Sequence, residues 1–232
     1  MSQKIIPDLW RFSSIARFDP KNSRDLIKLD PTLGKGLCVF IPMYSKIDYG
    51  FIAEYNDRLI ICFRGTRKDI RAYISDINTY PLLKDGYWGK GTIHNGFYSG
   101  WESFKRGITN YISELYKHTK MPIYCCGHSR GGALATLCAR HIAKNMKIPC
   151  SCLPSGSPKV GIKAFRDQFD LLPINCTRVV NGYDIVPELP PYDFGFRHIG
   201  KLHWLKQPRW HKYFRYFSDH HYESYQKEIN KI

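Results

Sequence analysis

The residues best suited to nucleophilic chemistry lie in the pentapeptide Gly127-His128-Ser129-Arg130-Gly131. A β-prone run, Pro122 to Cys126, precedes it, and a long run rich in alanine and leucine follows. A serine between glycines, at a turn from a strand into a helix, is the arrangement of a nucleophile elbow. Such a turn strains the serine backbone, tolerates only small neighbours and directs helix N–H groups toward developing negative charge. The pattern therefore predicts that Ser129 is a nucleophile for acyl transfer.

A serine hydroxyl attacks only when a base, usually a histidine oriented by a carboxylate, takes its proton. Asp184 is the best-placed carboxylate, because it follows a β-branched run that indicates a strand. Glu188 competes with it but sits among prolines, which is typical of a surface segment. His220 and His221 begin a predicted helix late in the chain, and both are candidates for the base. The other histidines after Asp184 are expected at the surface or in a hairpin: His198, His203 and His211.

The oxyanion of a tetrahedral intermediate needs hydrogen-bond donors. The backbone N–H of Arg130, directly after the nucleophile, is expected to supply one of them. Thr66 lies just beyond the end of a predicted strand and is well placed to supply the other, with its hydroxyl as a further donor. These two residues therefore form the predicted oxyanion hole.

Strands and helices alternate through the middle of the chain, which indicates parallel strands with crossover helices. The predicted strands are residues 49–55, 59–63, 122–126, 148–153 and 174–181. The predicted helices are residues 69–77, 97–117, 129–146, 161–171 and 219–229, and residues 80–92 are expected to form a loop. Active sites in such sheets lie at the carboxyl ends of the strands, so Thr66, Ser129 and Asp184 should gather at one edge.

The bulk composition limits the class of protein. The chain has 232 residues and a net charge of +15. Its length suits one α/β domain, and no repeat or linker divides it, so we expect a single domain over residues 1–232. The N-terminus lacks the apolar core of a signal peptide, and no apolar run reaches about 18 residues, so we expect a cytoplasmic protein. Most of the eight cysteines lie in apolar runs and are expected to be buried thiols, and no pair has zinc-site spacing, so no metal is expected.

Residues 194–218 combine six basic with eight aromatic residues and contain no Asp or Glu. This composition fits a peripheral contact with an anionic membrane, and it also fits stacking against single-stranded nucleic acid. A solvated basic face over a partly buried hairpin is the third interpretation. No nucleic-acid recognition motif accompanies the charge, so nucleic acid is the least favoured partner.

Four ordered motifs resemble those of the class 3 lipases, an α/β-hydrolase family that includes fungal triacylglycerol lipases. The motifs are Phe63-Arg64-Gly65-Thr66, Ile93-His94-Asn95-Gly96-Phe97, residues 127–135 around Ser129, and residues 178–187 around Asp184. The resemblance spans roughly residues 36–226. It implies an α/β-hydrolase fold with a mostly parallel central sheet flanked by helices.

The resemblance implies a triad of Ser129, Asp184 and His220, with His221 as the alternative base. It implies that Thr66 and Arg130 form the oxyanion hole and that His94 packs beneath the site. The segment that corresponds to the family's amphipathic lid is residues 67–76, and Asp76 resembles an aspartate that supports the oxyanion loop.

Arg130 departs from the family, in which this residue is often leucine. A cation at a helix N-terminus opposes the helix dipole. We therefore expect its side chain to have an external task, namely contact with an anionic head group or a carboxylate.

These features predict a serine carboxylester hydrolase that cleaves lipid acyl esters through an acyl-enzyme, with no cofactor. Triacylglycerol, monoacylglycerol and phospholipid A1-type cleavage all remain open, and the basic surface favours anionic phospholipid interfaces. The alternatives are a catalytically silent hydrolase-fold protein that binds a lipid or another partner, and a nucleic-acid-binding protein. The sequence gives no indication of oligomeric state.

Overall fold

A computed structural model describes residues 5–66, 83–86, 89–207 and 217–232. Its helices are α1 (Ile5–Ala16), α2 (Ser23–Leu29), α3 (Asn95–Leu115), α4 (Arg130–Asn145), α5 (Lys163–Asp170) and α6 (Tyr222–Ile229). Its strands are β1 (Leu37–Tyr44), β2 (Tyr49–Tyr55), β3 (Arg58–Phe63), β4 (Leu83–Gly86), β5 (Gly89–His94), β6 (Ile123–His128), β7 (Cys150–Ser155), β8 (Gly161–Ile162), β9 (Ile174–Asn181), β10 (Phe196–Arg197) and β11 (Lys201–Lys206).

The large sheet has the strand order β1-β2-β3-β6-β7-β9-β11 within the described residues. The strands from β3 to β11 pair in parallel, whereas β1 and β2 are antiparallel at one edge. Helices cover the sheet, so the predicted fold, a mostly parallel central sheet flanked by helices, is confirmed. A smaller sheet has the order β10-β8-β5-β4.

The central strands bury both of their faces, because helices pack on each side of the large sheet. Along β3, Leu59, Ile61 and Phe63 join the core under α3 and α4. Ile60 and Cys62 join the core under α1 and α6. Cys125 and Cys126 on β6 divide between these two cores, as the alternation of side chains predicted. The predicted burial of the cysteines is confirmed except at Cys38, which is exposed.

The first helix, α1, has no counterpart among the predicted elements. It buries Ile6, Leu9 and Trp10 against the sheet. Pro7 lies in its first turn, where a helix tolerates proline because the missing N–H needs no partner there. Proline and charged residues near the chain start therefore concealed an amphipathic helix that covers one face of the sheet.

Two other predictions about secondary structure are wrong. Residues 80–92 were expected to form a loop, but β4 lies within this range and β5 begins in it. The glycines there favour a loop locally, and the pairing of Ile93 with the distant Gly161 overrides that preference. Lys201–Lys206 does not form part of a hairpin but pairs in parallel with β9. The predicted helix over residues 69–77 lies outside the described residues.

Within the described ranges, no helix is both long enough and apolar enough to cross a membrane.

Strand β9 has the predicted bounds, and the predicted hairpin of β2 and β3 is confirmed within one residue.

His94 joins the small sheet to α3. Its Nδ1 accepts a hydrogen bond of 3.1 Å from the N–H of Gly96, which caps the helix N-terminus. The ring packs on Phe97 with a centroid distance of 4.5 Å. Burial and the nearby charge of Arg130 lower the pKa of His94 to about 4, so the ring is neutral at neutral pH. The expected structural role of His94 agrees with these contacts.

The depressed pKa of His94 predicts a loss of stability in mild acid. As the pH falls below the ordinary histidine pKa of 6.5, the unfolded chain binds a proton that the native ring does not accept until about pH 4. His94→Asn keeps a capping acceptor without the titration. Between about pH 7 and about pH 4.5, the unfolding free energy measured in urea should fall by about 2–3 kcal/mol more in the wild-type chain than in this variant.

His118 provides a matched control, because its side chain is 77% exposed. His118→Asn should lose nearly as much unfolding free energy as the wild-type chain over the same pH range, because contacts of an exposed side chain contribute little. An equal loss of stability in the wild-type chain and His94→Asn would contradict the assigned role of the buried ring.

Candidate active site

Ser129 lies at the sharp turn between β6 and α4, with φ 57° and ψ −127°. This backbone conformation costs a non-glycine residue about 1–3 kcal/mol. A Cβ on Gly127 would lie 2.5 Å from the carbonyl of Gly131, and a Cβ on Gly131 would lie 2.2 Å from the carbonyl oxygen of Phe63. The backbones therefore approach too closely for a side chain at either glycine. The predicted strand–turn–helix arrangement is confirmed.

The end of β3 lies beside this turn. A Cβ on Gly65 would lie 3.5 Å from the Cβ of Ser129. Thr66 follows directly and is half-buried. Ser129 itself is 3% exposed, and its Oγ makes no hydrogen bond with the part of the chain that the structure describes. The end of β3 and the nucleophile turn therefore share one edge of the sheet, as predicted.

Asp184 and His220 form a buried pair at the same edge. His220 Nδ1 lies 2.8 Å from each carboxylate oxygen of Asp184, and none of the Asp184 side chain is exposed. Because a carboxylate only accepts hydrogen bonds, Nδ1 carries the hydrogen, and the lone pair of Nε2 is left to accept a proton. His221, the alternative base, is exposed. The side chain of Glu188, the alternative acid, is 58% exposed, as its proline-rich context indicated.

Two further donors fix the Asp184 carboxylate. The N–H of Val186 donates to Oδ1 at 2.9 Å, and the hydroxyl of Tyr225 donates to Oδ2 at 2.7 Å. Burial and the charge of Asp184 raise the pKa of Tyr225 well above its usual value, so the hydroxyl keeps its proton. The sequence analysis assigned no role to Tyr225. The available signal was its position one turn after Tyr222 on a helix that follows the base.

A set of hydrogen bonds joins the loop of Asp184 to the turn of His220. Asn181 Nδ2 donates to the carbonyl of Asp219 at 3.2 Å and to Ser224 Oγ at 2.8 Å. The N–H of Tyr183 donates to Asp219 Oδ2 at 2.9 Å. These contacts connect segments that lie about forty residues apart in sequence and fix the distance between the carboxylate and the imidazole. The sequence analysis gave Asn181 and Asp219 no role, although they lie in the segments that carry the acid and the base.

Aromatic rings form a wall behind the imidazole. The His128 ring lies 4.6 Å from the His220 ring between centroids. Burial and the proximity of His220 lower the pKa of His128 well below its usual value, so His128 is neutral. Trp10 of α1 stacks on Tyr225 at 5.2 Å and meets His128 edge-on at 5.6 Å. The wall therefore excludes water from one side of the pair without adding charge. It depends on α1, the helix that the sequence analysis did not predict.

The side chain of Arg130 turns inward. Its Nε and Nη2 donate to the two carboxylate oxygens of Asp48 at 2.7 and 2.9 Å, and Nη2 also donates to the carbonyl of Gly96 at 3.1 Å. The side chains of Arg130 and Asp48 are 12% and 4% exposed. The predicted contact of Arg130 with an external head group is therefore wrong. The side chain does bind a carboxylate, but this carboxylate belongs to the same chain. Asp48 lies just before β2, far from Arg130 in the chain, so no local sequence pattern indicates the pairing.

Two of the other histidines after Asp184 lie in the described part of the chain, and neither is fully exposed. His198 is half-buried, and burial together with the charges of Arg178 and Lys159 lowers its pKa far below the usual value. His203 is half-buried on the edge strand β11. His211, the segment 67–76 and Asp76 lie outside the described residues. Within the described ranges, no three metal-ligating side chains cluster.

The chain matches known proteins over its central part. The model of the class 3 lipase family matches residues 60–194. A lipase from Rhizomucor miehei is 32% identical over 152 residues, which are 63% of this chain and 41% of the relative. A secreted mono- and diacylglycerol lipase from Fusarium solani is 32% identical over 160 residues, 67% of this chain and 46% of the relative. The chain spans less than half the length of these curated relatives.

The fold is shared with solved lipases. One structure of a triacylglycerol lipase, whose catalytic centre is described as a serine protease triad, superposes with a TM-score of 0.74. It is 25% identical, and the match covers 89% of this chain and 82% of that protein. Because the family model covers more than half of the sequence and the elbow lies inside the matched region, the chain belongs to the class 3 lipase family.

Proposed function

We propose that this protein is a serine carboxylester hydrolase that cleaves acyl esters of lipids. The observation that carries the proposal is the buried pair of Asp184 and His220 at the sheet edge where the strained backbone of Ser129 lies. The names of the relatives, a lipase and a mono- and diacylglycerol lipase, support a lipid ester as the substrate class.

In the proposed mechanism, Ser129 Oγ attacks the ester carbonyl carbon while His220 Nε2 accepts the hydroxyl proton. Asp184 holds the imidazole through Nδ1 and stabilises the imidazolium that forms. The imidazolium then donates its proton to the leaving alkoxide, which leaves an acyl group on Ser129. Water, deprotonated by the same imidazole, attacks this acyl-enzyme and releases the fatty acid.

The negative charge on the carbonyl oxygen needs donors at the same edge of the sheet. The backbone N–H of Arg130, at the start of α4, is the first proposed donor, and Thr66 is the second. The ion pair of Arg130 with Asp48 supports this role, because it fixes the residue whose N–H must be aimed at the oxyanion. The positive end of the α4 dipole adds to the stabilisation.

The substrate class divides into three candidates, which are triacylglycerol, monoacylglycerol and the sn-1 acyl chain of phospholipid. Hydrolysis rates for p-nitrophenyl esters, triglyceride emulsions and phospholipid vesicles rank these candidates, with Ser129→Ala as the blank. Hydrolysis of at least one acyl ester by the wild-type chain is the expected result.

Ser129→Ala tests the proposal itself. Loss of the nucleophile should lower kcat for a soluble p-nitrophenyl ester by about 10⁴-fold or more while leaving the thermal unfolding temperature nearly unchanged. A fluorophosphonate probe should label the wild-type chain and not the variant. A folded wild-type chain that neither hydrolyses esters nor reacts with the probe would support the alternative, a catalytically silent lipid- or partner-binding protein.

Tyr225→Phe tests the assignment of Tyr225 as a positioning residue. Loss of its hydroxyl removes one donor to Asp184, so kcat for a soluble ester should fall about tenfold while KM stays within about twofold. Steady-state kinetics on a short-chain p-nitrophenyl ester provide the measurement.

Tyr111→Phe is the matched control, because the Tyr111 hydroxyl also donates to a carboxylate, Glu54 Oε1, at 2.6 Å. Both variants lose one hydroxyl-to-carboxylate bond, which should lower the unfolding free energy by about 1 kcal/mol. Tyr225→Phe also loses the bond of 3.3 Å that the hydroxyl accepts from the N–H of Asn181, so its unfolding free energy should fall further. Only Tyr225→Phe should lose kcat. Equal kcat values for the two variants would contradict the role of Tyr225.

A further inference from the structure

Three large apolar side chains are exposed on loops beside the active-site edge. Phe18, Tyr44 and Ile47 are 53%, 57% and 72% exposed. Phe18 follows α1, and the other two lie at the turn between β1 and β2. We call these three residues, with the neighbouring Lys21 and Lys46, the docking patch.

Hydrogen bonds hold the two loops of the docking patch together. Arg64 forms an ion pair with Asp19 and donates through Nη2 to the carbonyl of Ile47 at 3.0 Å. The hydroxyl of Tyr49 donates to the carbonyl of Pro20 at 2.6 Å, and its ring lies 5.3 Å from that of Tyr44. The exposed apolar residues therefore belong to one surface and not to separate flexible loops.

Two ion pairs connect this surface to the active site. Asp19 directly follows Phe18 and pairs with Arg64, which precedes Gly65 and Thr66. Asp48 directly follows Ile47 and pairs with Arg130, which follows Ser129. Each aspartate is drawn inward, so the apolar residue before it is held outward at the rim of the site.

The charge at the docking patch is positive. Its aspartates, Asp19 and Asp48, are turned inward, with side chains 15% and 4% exposed. Lys21 and Lys46 are exposed. No ion pair within the described residues involves either ammonium group, and the carboxylate of Asp25 accepts a hydrogen bond of 3.0 Å from the backbone N–H of Lys21. Exposed apolar side chains with exposed lysines close by in sequence fit the interface of a membrane that carries anionic lipid.

We propose that the docking patch inserts into the surface of an anionic phospholipid membrane and thereby turns the Ser129 edge toward the lipid. This orientation serves catalysis only if Ser129 is the nucleophile, so this part of the proposal rests on the proposed function. Membrane binding itself does not require catalysis. Phe18 and Ile47 enter the acyl–headgroup boundary, and Lys21 and Lys46 contact lipid phosphates.

The test measures binding to vesicles in a Ser129→Ala background, so that the lipid is not consumed. Vesicles of phosphatidylglycerol with phosphatidylcholine are compared with vesicles of phosphatidylcholine alone, by co-sedimentation at low and high salt. Phe18→Ser with Ile47→Ser should weaken binding to the anionic vesicles by roughly tenfold or more, because two apolar anchors are lost. With Ser129 intact, the same pair of substitutions should leave hydrolysis of a soluble ester within about twofold.

Leu171→Ser is the matched apolar control. Leu171 is 87% exposed and lies just before β9, at the amino ends of the parallel strands and therefore away from the Ser129 edge. It should leave vesicle binding unchanged. Lys46→Glu should weaken binding to anionic vesicles more than Lys120→Glu, which makes the same charge change near the amino end of β6.

The outcomes separate this proposal from the proposed function. Unchanged anionic-vesicle binding in Phe18→Ser with Ile47→Ser, an equal loss in Leu171→Ser, or equal binding to neutral and anionic vesicles would each overturn the docking patch. These results are independent of ester hydrolysis. Failure of the wild-type chain to hydrolyse any ester would overturn the proposed function, but it would not affect the conclusion drawn from vesicle binding.

Discussion

The hydrogen-bonded pair of Asp184 and His220 is the interaction on which the candidate site depends. A carboxylate that is fully buried is stable only when donors satisfy it, and Asp184 has three, from His220, Val186 and Tyr225. The same contacts fix the tautomer of His220 and leave its Nε2 to accept a proton. The donors that satisfy the buried charge of Asp184 therefore also hold the imidazole of His220 in place before a substrate binds.

The surrounding structure holds this pair at the same sheet edge as Ser129. Asn181 and Asp219 bind the two loops to each other, and the rings of His128 and Trp10 exclude water behind the imidazole. Directly after the serine in sequence, Arg130 is held by Asp48. A buried ion pair of this kind adds little net stability, but loss of one partner leaves an uncompensated charge. Its contribution here is to fix the orientation of the backbone after the nucleophile.

The parts of the fold with strong local signals could be predicted from the sequence. The elbow required small residues at Gly127 and Gly131, and β9 showed an uninterrupted β-prone run, so both were found. Helix α1 and strand β11 were missed, because proline and basic residues obscure their local patterns and their stability comes from distant partners. For the same reason the sequence left two histidines open as the base and did not reveal the Arg130–Asp48 pair, which joins residues far apart in the chain.

The most direct test compares kcat for a soluble ester in His220→Ala and His221→Ala. The two residues are adjacent in sequence, but only the ring of His220 is buried against Asp184. The account predicts that His220→Ala lowers kcat by about 10⁴-fold, whereas His221→Ala stays within about threefold of the wild-type chain. The reverse order, or an equal loss in both variants, would contradict it.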